Sequence, residues 1–229
     1  PNARSSEMQG SSSSDAARLL NSMMLFRNGI PHARLRGLVQ TAFTPRVVEE
    51  QRELVRSLLG QLLRKLKTQS AAVALVAGLS NPLPAQVIMT MLGLKGEDEA
   101  KFIQWSGSVA ELLGGSGMTP DLIARLETDA QSMRLYFHDL ADELRHHPQP
   151  GLLSAMAAAQ DGSERLSDDE LLSNAVLLLT AGHETTSNLI PSGLLELGEQ
   201  PWAWQALTEN PRHPSVADEL LRIVSPVQI

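Results

Sequence analysis

The residues of this chain best equipped for chemistry sit in one short run, Thr180-Ala181-Gly182-His183-Glu184-Thr185-Thr186. In a helix, Ala181, Glu184 and Thr185 fall at i, i+3 and i+4 and share a face, with Gly182 beside them. Ala181 and Gly182 remove bulk, which lets something large and flat approach the backbone. Thr185 can donate its hydroxyl proton to the carbonyl of Ala181, widening a turn that glycine already weakens. The expected result is a notch floored by a hydroxyl and a carboxylate, groups that hydrogen-bond and titrate. Close helix packing is the plainer reading of the same Ala-Gly pair. Zinc chemistry is excluded: His183-Glu184 opens like a metalloprotease helix, but the second histidine would fall at Ser187.

Two further pairs have suggestive spacing. His32 and Arg36 are one helical turn apart, so they project side by side and could hold two carboxylates on one edge of a planar ligand. A solvated basic face of His32, Arg34 and Arg36 is the alternative. Glu219 and Arg222, three apart, can pair on one face of a helix; on a surface such a pair is worth only about 0–1 kcal/mol.

The elements that must position these residues read as helices. Ser167 and Glu170 form a capping box ahead of a leucine-rich segment, residues 171–197, whose apolar surface is too broad for a one-sided helix and therefore crosses the interior. Pro191 disturbs its hydrogen-bond ladder. Pro31 opens the helix carrying His32 and Arg36. Thr44-Pro45 caps a helix with Val48, Gln51, Val55, Leu58, Leu59, Leu62, Leu63 and Leu66 on one face. Residues 71–79 are short and apolar, and periodicity leaves strand and buried helix both open. Residues 82–92 form a buried helix ended by Gly93. Residues 97–113 place Phe102, Trp105, Val109 and Leu112 inward. After the glycines of 114–117, Thr119-Pro120 begins a helix with Leu122, Leu126, Met133, Phe137, Leu140 and Leu144 on its apolar stripe. Residues 15–26 read as helix broken by Asn28-Gly29, residues 201–207 as a short helix with Trp202 and Trp204, and 216–224 as the last. The serine-rich opening, residues 1–14, has little to bury and reads as loop or disorder.

The length of 229 residues allows one domain or two, and a hydrophobic fraction of 42% suffices for a core. A formal net charge of −7 argues against a nucleic-acid surface. No apolar run approaches the roughly 18 residues of a membrane span, and no signal peptide opens the chain, so the expectation is a soluble cytoplasmic protein with neither a membrane nor a nucleic-acid partner.

The order of these motifs resembles that of the cytochrome P450 family in its soluble bacterial form. Ala181-Gly182-x-Glu184-Thr185-Thr186 is similar to the family's oxygen-activating helix. Pro31-His32-Ala33-Arg34-Leu35-Arg36-Gly37-Leu38-Val39 with Ala42-Phe43-Thr44-Pro45-Arg46 looks like its haem-flanking helix, Asn81-Pro82-Leu83-Pro84-Ala85-Gln86-Val87-Ile88 like the start of its next shared helix, and Glu219-Leu220-Leu221-Arg222 like its ExxR motif. Ser225-Pro226-Val227-Gln228 resembles a turn lining the substrate pocket.

The resemblance implies a mainly α fold with little β, a single partial domain over residues 1–229 built on a long central oxygen-activating helix. It implies a haem b cofactor, a small organic substrate, O2, and a ferredoxin-type redox partner. The implied reaction inserts one oxygen atom into a substrate C–H bond and releases the other as water. Thr185 would hydrogen-bond oxygen, Glu184 would be the acid end of a proton relay, Ala181 and Gly182 would shape the oxygen groove, His32 and Arg36 would hold the haem propionates, and Glu219 and Arg222 would lock the proximal side. The glycines at 114–117 would be a hinge in the roof over the substrate. The family's iron is held by a cysteine thiolate, and this sequence has no cysteine. The expectation is therefore an internal fragment without its metal ligand, inactive alone. A haem-free helical remnant that binds a partner is the alternative.

Overall fold

Capping residues fix four of the helix starts, and a computed structural model, describing residues 14–40, 43–68, 72–94, 96–113, 119–161, 164–211, 213 and 215–227, shows where the helices run. Among these residues the α-helices are α1 (Asp15–Ser22), α2 (Gly29–Gln40), α3 (Pro45–Lys67), α4 (Pro82–Leu92), α5 (Glu99–Leu113), α6 (Pro120–His146), α7 (Leu152–Ala158), α8 (Asp168–Glu199), α9 (Pro201–Glu209) and α10 (Ser215–Val224). The side chains of Ser14, Thr44, Thr119 and Ser167 each accept a backbone N–H at a helix start. At α8 the Glu170 carboxylate returns a bond to the Ser167 N–H and completes the capping box. β-Structure is confined to a two-residue antiparallel ladder, β1 (Gln160–Asp161) with β2 (Glu164–Arg165).

The long helix α8 is the axis of the fold. It packs against α1, α4, α5, α6, α7, α9 and α10, and Leu171, Ala175, Val176 and Leu179 on it are buried. The main core joins these to Leu35, Leu38 and Val39 of α2, Met89 and Leu92 of α4, Met133 and Phe137 of α6, and the aromatic residues of α5. Phe102 and Trp105 of α5 meet Tyr136 and Phe137 of α6, with Phe102 set edge-on to Trp105, Tyr136 and Phe137. A smaller cluster of Leu62, Leu66, Leu79 and Leu83 ties α3 to α4.

Several details differ from the sequence expectations. The first helix ends at Ser22, and Met24–Phe26 form a separate 3₁₀ turn. The helix bearing His32 begins at Gly29, whose φ of +61° suits glycine, so Pro31 is its third residue. On α3 only Leu62 and Leu66 are buried, whereas Val48 and Leu63 face outward, because α3 lies at the edge of the molecule and touches little beyond α4 and the turn before it. The ambiguous stretch resolves as a π-helical turn, Val76–Ser80. Trp202 and Trp204 on α9 are exposed. Residues 1–13 of the loop expected at 1–14, the glycine hinge at 114–117, Ala42 and Gln228 lie outside the described residues, and Ser14 serves as the N-cap of α1.

Candidate functional site

The centre of α8 is where its burial changes. From Leu171 to Leu177 every residue is buried, but Ala181 is exposed, and Gly182, Glu184 and Thr185 are half-buried. The face carrying 181, 184 and 185 thus opens directly after a wrapped stretch, and most of the residues that follow on α8 are exposed or half-buried as well. Thr185 Oγ1 donates to the Ala181 carbonyl at 2.6 Å, the local back-bond its spacing suggested. Ala181, Glu184 and Thr185 are brought together.

Gly182 turns the other way. A Cβ there would lie 3.0 Å from Ile88 Cγ1 and 3.2 Å from Cδ1 on α4. Its small size lets α4 approach α8, and an added methyl would fit only if the Ile88 side chain gave way by a few tenths of an ångström.

Between those faces His183 points inward and is only 4% exposed. Its Nδ1 is 3.1 Å from Ser106 Oγ of α5 and 3.7 Å from Glu184 Oε1. Nε2 is buried and makes no hydrogen bond of normal geometry. Burial pushes the imidazole below its usual titration range, against the opposing pull of Glu184, the Asn81 backbone and Glu99.

His32 and Arg36 lie on α2. His32 is half-buried and Arg36 exposed, with no partner for the Arg36 guanidinium among the described residues. His32 Nδ1 is 2.9 Å from the Met24 carbonyl. A carbonyl only accepts, so Nδ1 carries the proton and Nε2 faces away from that bond. The Met24 N–H in turn donates to Asn174 Oδ1 of α8 at 2.9 Å, and Asn174 Nδ2 donates to the carbonyls of Ser22 and Glu170. Asn174, fully buried, therefore fixes the turn that orients His32. Sequence reasoning passed over it, although an amide in the middle of a leucine-rich run was the available signal. Arg34, between the two, is half-buried: it pairs with Glu170 at the start of α8 and donates to the Arg165 carbonyl.

Glu219 and Arg222 form the expected bidentate pair, at 2.8 and 2.7 Å, on an exposed face of α10. Their mutual hydrogen bonding lowers the carboxyl and raises the guanidinium. No group of three or more His, Cys, Asp or Glu among the described residues could hold a metal ion, and none of their helices is long and apolar enough to cross a membrane.

For a haem, the chain offers an open small-residue strip with a hydroxyl and a carboxylate, and on α2 an unpaired guanidinium and a free imidazole edge. In donor chemistry the strip suits the oxygen side of such a group and the guanidinium suits its propionates, whereas the imidazole could join the guanidinium only as the doubly protonated ring. They do not include an axial thiolate, since the sequence has no cysteine.

Comparisons with known proteins agree on the ancestry of this arrangement. The sequence profile described as Cytochrome P450 matches residues 13–213. Cytochrome P450 CYP107DY1 of Priestia megaterium is 35% identical over 223 residues, covering 95% of this chain and 53% of the relative. Nocardicin C N-oxygenase of Nocardia uniformis is 36% identical over 202 residues, covering 88% and 49%. Among solved structures, P450BioI in complex with an acyl carrier protein ligated to hexadec-9Z-enoic acid superimposes with a TM-score of 0.85 at 30% identity, covering 91% of this chain and 53% of that one. The chain spans about half the length of the curated relatives it matches.

Proposed function

The chain belongs to the cytochrome P450 family, and from that premise we propose that the open face of α8 is the oxygen-side wall of a haem site in a monooxygenase acting on a small organic substrate. The observation that carries this reading is the exposure of Ala181 beside half-buried Glu184 and Thr185 on a helix buried along its preceding turns. A haem bound there would supply O2 activation, with electrons from a ferredoxin-type redox partner.

The residues of this chain then have separable tasks. Ala181 leaves the space in which O2 is held. Thr185 holds a proton on Oγ1, now given to the Ala181 carbonyl at 2.6 Å; rotation about its Cα–Cβ bond turns that proton into the notch. Glu184, its side chain 31% exposed, reaches both solvent and the notch and can pass protons between them. Arg36, and His32 through Nε2 when its ring is doubly protonated, would hold the propionates, with Asn174 and the Met24 carbonyl keeping His32 in place. Gly182 and Ile88 keep α4 against α8.

The test is Thr185→Ala in the haem-loaded enzyme that carries this helix. Reductant consumption should continue while peroxide release rises and product per electron falls. Unchanged product yield per electron would remove Thr185 from the role.

A further inference from the structure

The aromatic side chains between α5 and α6 have no task in the mechanism above. Packing asks only for rings there, and Phe102 and Phe137 supply two of them. The other two are chemically different. Trp105 is the one buried tryptophan, 2% exposed against 71% for Trp202 and 45% for Trp204, and Tyr136 is the only tyrosine of a sequence without cysteine. Indoles and phenols are the side chains of such a chain that give up one electron most readily. The Trp105 and Tyr136 ring centroids are 5.8 Å apart, close enough for an electron to pass directly. Tyr136 Oη donates to Asp98 Oδ2 at 3.1 Å, so the phenol already faces a carboxylate that could take its proton. Lys101 pairs with Asp98 at 2.9 Å and sets its ammonium 5.8 Å from the centre of the Trp105 ring and 5.1 Å from that of Tyr136. At the inner end Trp105 adjoins Ser106, whose Oγ lies 3.1 Å from His183 Nδ1 on α8. At the outer end the Asp98 and Lys101 side chains are 18% and 47% exposed. The cluster thus runs from the helix that carries the notch to the surface.

We propose that Trp105 and Tyr136 form an electron relay that drains a one-electron oxidant from the α8 notch to the surface. The oxidant is a high-potential species of the class a haem generates from O2 when no substrate consumes it; only this source rests on the reading of α8 as a haem wall. It takes one electron from the Trp105 indole and leaves a radical cation. Tyr136 returns an electron to the indole while its Oη proton passes to the Asp98 carboxylate. Tryptophan is then whole, tyrosine is a neutral phenoxyl radical and Asp98 is protonated. A small one-electron reductant at the surface, of the ascorbate class, reduces the phenoxyl, and Asp98 gives the proton back. In sum the oxidant gains one electron and the surface reductant loses one. Lys101 sets the direction. Its ammonium is attracted by neutral rings and disfavours positive charge on either of them, so the oxidising equivalent settles where a proton can leave, on the Tyr136 hydroxyl bonded to Asp98.

The test needs no haem. Because the chain has no cysteine, Ala181→Cys provides a single thiol at the exposed edge of the notch, to which a ruthenium tris-bipyridine photo-oxidant is tethered. Trp202→Phe and Trp204→Phe remove the two exposed indoles. Flash oxidation of the ruthenium in this parent should produce a neutral tyrosyl radical, read by electron paramagnetic resonance of rapidly frozen samples. Adding Tyr136→Phe should replace that signal with a tryptophanyl radical. Adding Trp105→Phe should remove most of the tyrosyl signal, and Asp98→Asn should do the same by taking away the proton acceptor while leaving both rings in place. Absence of a radical on either ring in the parent, or a tyrosyl yield that survives Trp105→Phe or Asp98→Asn, would overturn the proposal. Such a failure leaves the Thr185→Ala coupling experiment intact, and failure of that experiment leaves the photochemical result standing.

Discussion

At the scale of single residues, packing and chemistry separate on α8. Thr185→Ala loses a bond of about 1 kcal/mol to the Ala181 carbonyl but gains roughly 0.6 kcal/mol of helix propensity. The chain's unfolding free energy in urea should therefore change by less than about 1 kcal/mol, so that any loss of coupling in the enzyme is chemical. Gly182→Ala behaves oppositely. The added methyl meets Ile88 at 3.0 Å in a buried contact, and overpacking of about 1–3 kcal/mol outweighs the propensity gained. Urea unfolding should show a net loss on the order of 1 kcal/mol, recovered when Ile88→Val is added; an equally large loss in the double variant would contradict the packing explanation. His183 gives a pH signature. Its folded titration is depressed, so the unfolded chain binds its proton first, and stability falls as pH drops below the ordinary histidine value toward the folded one. That decline should be absent in His183→Gln, as followed by urea midpoints between neutral pH and the carboxylate range. Of these roles, the Thr185 back-bond was legible from an i, i+4 spacing. The inward turn of His183 was not, because a helix rotation becomes visible only once its neighbours are placed.

Among elements, docking depends on polar pins inside apolar interfaces. Asp129 of α6 is buried, and its carboxylate accepts from Ser108 Oγ at 2.5 Å and Gln104 Nε2 at 2.8 Å of α5. Asp129→Ala leaves both donors unpaired and should cost roughly 2–4 kcal/mol. Hydrogen exchange should speed up in α5 and α6 before it does in α8, and uniform protection would argue against a local pin. Glu170 anchors the other end. Burial raises its carboxyl, but the Ser167 N–H and the Arg34 guanidinium outweigh that and hold it below the ordinary carboxylate range. Its contribution is thus present above the ordinary glutamate value and is lost as pH falls through the lowered one. Ser167→Ala should cost about 1 kcal/mol and steepen with it the fraying of the first turn of α8. Helix existence and most starts were readable, because caps at Thr44, Thr119 and Ser167 are local chemistry. Which face of α3 is buried was not, since Val48 and Leu63 fit an apolar stripe that nothing here covers.

On the scale of the whole molecule, apolar surface is exposed where α9 and α10 leave α8, at Trp202, Leu221 and Ile223, and around the start of α2, at Leu25, Phe26 and Ile30. Glu219 and Arg222 pair in the open, so replacing both by alanine should leave the chain's melting temperature unchanged; a clear drop would reveal a buried role. The family was legible because four motifs keep their order along the chain, whereas no spacing in the sequence states that Asn174 and Met24 orient His32. The reading stands or falls on whether a porphyrin lies against α8 between Ala181 and Thr185. Ferric haem added to the isotopically labelled chain tests this directly through paramagnetic broadening. The expected result is early loss of the Ala181 and Thr185 amide signals and of the His32 ring. Broadening confined to the exposed His138–His146 side of α6, with the centre of α8 untouched at saturating haem, would contradict it.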